Sequence, residues 1–125
     1  MKHLFIPYET GIPTLAKEYG FDKDCMACYH EQQDGNFDLV YPLHTTDWNH
    51  KDIRHLIGAP LYQQIVDWFI LKGIEINTTS WKKEGAIVWY FSVNTLGNPC
   101  CYKSKDFNTK TEALNEAIKE AFKLI

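Results

Sequence analysis

Between Pro60 and Ile125 the spacing of apolar residues changes period twice, from helical to strand-like and back, and nothing else in the chain restricts its fold as strongly. Ala59-Pro60 precedes LYQQIVDWFILKG, in which Leu61, Ile65, Trp68 and Phe69 form a helical stripe widened by Tyr62, Val66 and Ile70. Pro60 suits a first helical position, and Gly73 suits a left-handed stop. Ile74 to Trp81, Ala86 to Thr95 and Cys100 to Phe107 are rich in β-branched and aromatic residues and are separated by Lys-Lys-Glu-Gly and Gly-Asn-Pro turns. They predict an antiparallel meander. Thr109-Lys110-Thr111-Glu112 then has the pattern of a capping box, in which hydroxyl and carboxylate satisfy free groups at a helix start. Leu114, Ala117, Ile118, Ala121, Phe122 and Ile125 supply the apolar stripe of the helix that follows.

Upstream the signals are shorter. Lys2 to Ile6, closed by Pro7, reads as an edge strand or an extended lead-in. Ile12, Leu15, Ala16 and Tyr19 have helical spacing, with Gly20 as the stop. Cys25 to His30 and Asn36 to Leu43 flank Gln32-Gln33-Asp34-Gly35 and predict a β-hairpin, because Asp-Gly favours a tight turn. His44 to Gly58 shows no clean period and reads as a long loop with one helical turn near Ile53. The expected fold is α+β: a three-stranded antiparallel meander covered by two helices, with an N-terminal helix and β-hairpin, in one domain over residues 1–125. Its core should include Leu15, Ile65, Trp68, Val88, Tyr90, Leu114, Ile118 and Phe122.

Apolar residues make up 45% and charged residues 23% of the 125, so the chain can bury a core and is unlike a disordered segment. Net charge is −3, and Arg54 is the only arginine, which counts against a dedicated nucleic-acid binder. Residues 1–58 hold five basic and nine acidic side chains (−4), and residues 59–125 hold eight and seven (+1). A basic face must therefore lie in the second half. The N-terminus lacks an export pattern and no apolar run approaches the ~20 residues of a membrane span, so a cytoplasmic protein without membrane contact is expected. There Cys25, Cys28, Cys100 and Cys101 should remain thiols.

Candidate chemistry is scattered. Cys25-Met26-Ala27-Cys28 with Cys100-Cys101 has the sulfurs for zinc, but adjacent cysteines on a strand point to opposite faces, and inert buried thiols are the better reading. Asp22 and Asp24 oppose a reactive thiolate. His44, Asp47, His50, Asp52 and His55 are suited to acid–base work or metal binding, but no flanking motif orders them, and a solvated loop explains them as well. No catalytic set, cofactor or metal is therefore expected. Trp48 in the same loop is the candidate exposed anchor for a protein partner, with His44, His50, Arg54 and His55 around it, whereas Trp81 and Trp89 should pack across strands. Lys82, Lys83, Lys103, Lys105 and Lys110 could contact RNA or DNA. The order α-β-β-β-α is also that of double-stranded-RNA-binding domains, but Glu112, Glu116 and Glu120 occupy the last helix, where that family carries dense Lys and Ala.

MKHLFIPYE, GFDKDC, APLYQQIVDWF and TEALNEAIKEAFKLI together resemble a family of small proteins common in phages and prophages of Bacteroidota bacteria, a family without an assigned activity. The resemblance spans nearly the whole chain and is most specific at APLYQQIVDWF. It implies an accessory protein that binds and modulates a host or phage component, an inhibitor of a bacterial defence system among the roles, or a minor component of the phage particle. The partner's identity and the oligomeric state are not legible in the sequence.

Overall fold

The computed structural model describes residues 5–21, 25–40, 56–96, 101–103 and 105–125, with the backbone alone at 56 and 101–103. Two compact units divide the chain, Met1–Ile65 and Val66–Ile125. Their described elements are helices and antiparallel strands, as expected for an α+β protein.

In the first unit a 3-10 turn, Tyr8–Thr10, leads into Gly11, whose φ of +79° redirects the chain before helix α1 (Ile12–Glu18). Gly20, φ +83°, ends that helix in a Schellman motif: its N–H donates to the Lys17 carbonyl at 3.2 Å, and the Phe21 N–H donates to Ala16 at 2.8 Å. Phe21 and Ala16 are both buried, as the apolar contact of that motif requires. Strands β1 (Cys28–Glu31) and β2 (Phe37–Val40) form the expected hairpin, though β1 begins after Cys25. Its turn is closed by Gly35 N–H on the Gln32 carbonyl and by Asn36 N–H on Asp34 Oδ1, both at 3.0 Å.

One expectation is corrected here. The stretch His44 to Gly58 is not loop throughout, because Leu56–Gly58 forms strand β3 on the free edge of β1, giving the order β2-β1-β3. Tyr29 pairs with Leu39 on one side and Ile57 on the other, so its face carries the core with Phe5, Ala27 and Ala59. Tyr8 stacks on Phe37 at 4.4 Å, and the Tyr29 hydroxyl donates to the Ile6 carbonyl at 2.5 Å. Ile6 N–H in turn donates to the Pro60 carbonyl, so the described end of the predicted lead-in is extended chain.

Helix α2 (Tyr62–Leu71) starts later than expected. Pro60 is not its first residue but precedes the capping position, Leu61, whose N–H is satisfied by Gln64 Oε1 at 2.9 Å. In the second unit strands β4 (Ile74–Lys83), β5 (Ala86–Thr95) and β6 (Cys101–Lys103) form the meander β4-β5-β6. Helix α3 (Lys110–Phe122) lies on β4 and β5, capped by Thr109, whose hydroxyl accepts from Glu112 N–H at 3.1 Å. Glu112 Oε1 accepts from that same hydroxyl, so the reciprocal bond goes to the side chain. Ala113, Ala117 and Ala121 bring the helix close to the sheet, and Phe122 meets Phe69 edge-on at 4.9 Å and Trp68 at 6.2 Å.

Ile65, Trp68, Ile118 and Phe122 are buried as expected, while Leu15 and Leu114 are half-buried and Ile125 is exposed. The predicted face of β5 is wrong by one residue. Phe91 and Val93 face the core with Ile74 and Ile76, and Val88 and Tyr90 lie on the opposite face, half-buried. A period of two allows no intermediate outcome.

Candidate binding surface

The β4–β5 hairpin reaches past the part of the sheet that α3 covers. Glu84 (φ +51°) and Gly85 (φ +85°) make a two-residue turn with both central residues left-handed, whose twist matches that of the strands it joins. Near its base Ile74, Ile76, Phe91 and Val93 are buried, whereas near its tip Ser80 to Ile87 are exposed. The tip carries two large apolar groups on opposite faces, Trp81 at 43% exposure and Ile87 at 65%.

Trp81 is the better defined of the two. Its indole N–H donates to Asp106 Oδ1 at 2.9 Å, and Asp106 Oδ2 accepts from Lys83 Nζ at 3.3 Å. Lys83 also lies 5.8 Å from the indole centroid. One carboxylate thus fixes the ring edge and the cation beside it. Asp106 reaches this face through an irregularity. Ser92 pairs with Lys103 and Trp89 with Phe107, so three steps along β5 correspond to four on its neighbour, and the extra residue falls between Lys103 and Phe107 as in a β-bulge. Val88, directly opposite Trp81, and Tyr90 continue the same face.

The other face of the tip carries Ile87, Trp89 and Phe107. Lys110 Nζ lies 5.9 Å from the Trp89 ring and Lys105 Nζ 5.7 Å from the Phe107 ring, and Lys82 shares the face by register with Ile87. Phe107 also stacks on Phe91 at 6.0 Å.

The predicted site residues fare unequally. His44, Trp48, His50, Arg54 and His55, and the helical turn near Ile53, lie outside the described residues. Of the lysines, Lys82, Lys105 and Lys110 share one face while Lys83 is held by Asp106 on the other, and Lys103 is described in its backbone alone. Trp81 was expected to be packed across strands and is instead exposed, whereas Trp48, the anchor the sequence suggested, lies outside the described residues. Alternation along β4 could have shown it, since Trp81 shares parity with Glu75, Asn77 and Lys83.

Cys25 and Cys28 are both buried thiols, and burial pushes the Cys28 thiol up, away from thiolate reactivity. Among the described residues no group of three or more His, Cys, Asp or Glu side chains is placed to hold a metal ion. A shallow hollow along the β1–β2 turn is lined, among the described residues, by His30 to Asp34, consecutive residues of one hairpin. Among the described residues no helix is long and apolar enough to cross a membrane. Compared with models of known protein families, with curated proteins and with solved structures, the chain finds no match in any of the three.

Proposed function

We propose that this chain is a non-enzymatic protein-binding module whose contact surface is the Trp81 face of the β4–β5 hairpin tip. The observation that carries this reading is an exposed indole held in place by Asp106 and Lys83. Tryptophan is among the residue types that dominate binding energy at interfaces, and a ring already fixed loses little further freedom when a partner closes over it. Val88 and Tyr90 extend the apolar area, and Asn77, Thr79 and Lys83 supply a polar margin. The phage resemblance directs the search toward host or phage components, with inhibition of a defence system as one outcome of binding. Affinity capture from a host lysate with wild type, Trp81→Ala and Trp81→Phe tests the reading. A specific partner should be retained by wild type and lose about 30-fold or more in affinity with Trp81→Ala, a hot-spot effect of about 2 kcal/mol. Equal capture by all three proteins, with unchanged thermal stability, rejects it.

A second reading, RNA or DNA binding, is favoured by the grouping of Lys82, Lys105 and Lys110 beside Trp89 and Phe107 on the opposite face. It is weaker, because two of those lysines already cover the rings on which bases would stack. Binding at low salt that falls steeply as salt rises, and falls further with Lys82→Glu, would favour it over the first.

A further inference from the structure

The free edge of β4 has the geometry of an unfinished ladder. Only Glu84 and Gly85 separate Lys83 from Ala86, so in a two-residue hairpin that pair exchanges backbone hydrogen bonds and every second pair behind it does the same. The Leu96 N–H on the Gly73 carbonyl, at 2.7 Å, continues that alternation to the base of the hairpin. On β5 the intervening residues turn the other way, and Trp89 accordingly exchanges bonds of 2.8 and 2.6 Å with Phe107. On β4 the same alternation turns the backbone groups of Ile76, Thr78, Ser80 and Lys82 away from β5. Among the described residues nothing accepts or donates to them. Ten paired residues without a bulge or proline give this edge a regular ladder, and among the described residues no strand pairs with it.

We infer that β4 pairs antiparallel with β4 of a second copy of the chain, about a two-fold axis at Thr79. The charges select both occupant and register. Centred on Thr79, the pairing sets Glu75 of each copy opposite Lys83 of the other, at positions where backbone hydrogen bonds are not exchanged and side chains stand closest. Thr78 meets Ser80, Thr79 meets Thr79, and Ile76 meets the aliphatic stem of Lys82. Centring on Thr78 would oppose Glu75 to Trp81, and centring on Lys82 would oppose two lysines. Both partners of the ion pair are oriented in advance, Glu75 by accepting from Asn77 Nδ2 at 2.8 Å and Lys83 by Asp106. An interface in which each copy offers the same strand to the other closes at two and does not propagate. This inference does not rest on the proposed partner surface, since its ladder is made by backbone groups of the strand edge, although Thr79, Trp81 and Lys83 belong to both.

Sedimentation velocity of the full chain over a range of concentrations should show reversible dimerisation. Glu75→Lys alone and Lys83→Glu alone each set like charges opposite one another twice and should weaken self-association about tenfold, whereas an equimolar mixture of the two restores it, because each then meets the opposite charge. Ser80→Pro removes an outward N–H that β5 does not use and should leave a monomer with the wild-type circular dichroism spectrum. Under mild oxidation Thr79→Cys should form an intermolecular disulfide much faster than Asn77→Cys, which the two-fold does not place opposite itself. A wild-type chain that stays monomeric, a dimer that survives Ser80→Pro, or single variants that mixing fails to restore would each overturn the inference. Tyr90→Ala, on β5 and away from the paired edge, leaves self-association in place, so loss of the partner and loss of the dimer are read separately.

Discussion

The two ends of the β4–β5 hairpin are built from similar residues in one continuous ladder, yet they behave as different materials. At the base, Ile76 and Phe91 are almost completely buried. At the tip, Ile87, on the same face of the same two strands, is 65% exposed. What separates them is α3, which lies over the base. Strand-forming residues thus establish the ladder, and burial against a helix determines which part of it becomes core.

Substitution can break that contrast in graded steps. Phe91→Ala should cost about 3–5 kcal/mol through lost burial and the cavity left behind, read as a lower urea midpoint at an unchanged slope. Thr109→Ala, which releases α3 at its first turn, should cost about 1 kcal/mol and is read the same way. Its loss should lower backbone protection in the first turn of α3 in hydrogen exchange. Gly85→Ala places a side chain at φ +85° and should also cost about 1 kcal/mol. Ile87→Ser, on the exposed half, should stay within about 0.5 kcal/mol of wild type; a larger loss would mean that the tip is packed.

A pH measurement applies the contrast to the first unit. The buried Cys28 thiol has a raised pKa, so its contribution is fully present below the ordinary thiol value of about 8.5 and is lost as pH rises beyond it. The wild type should therefore lose thermal stability on the alkaline side faster than Cys28→Ala does.

Helices α2 and α3 were legible because each carries its own punctuation, Gly73 after one and Thr109 with Glu112 before the other. Sequence reading failed where local pattern is degenerate. Ala86 to Thr95 is apolar on both faces, so its parity could not be assigned until α3 selected Phe91 and Val93. Leu56–Gly58 is too short for a period, and only the free edge of β1 makes it a strand. The lysines of the surface were visible, but the arrangement around Trp81 was not. Asp106 is 25 residues away and arrives there by an extra residue between Lys103 and Phe107, after the third strand of the meander.

The two-residue turn at Glu84–Gly85 also bears on the order of events in folding. Closing so short a loop sacrifices little chain entropy, and each further pair adds contacts between residues already brought close. Ordering of this sheet is therefore expected to start at the tip, the end that contributes least to the finished core. The side chains that give the molecule its stability join a ladder that water-exposed residues have already begun.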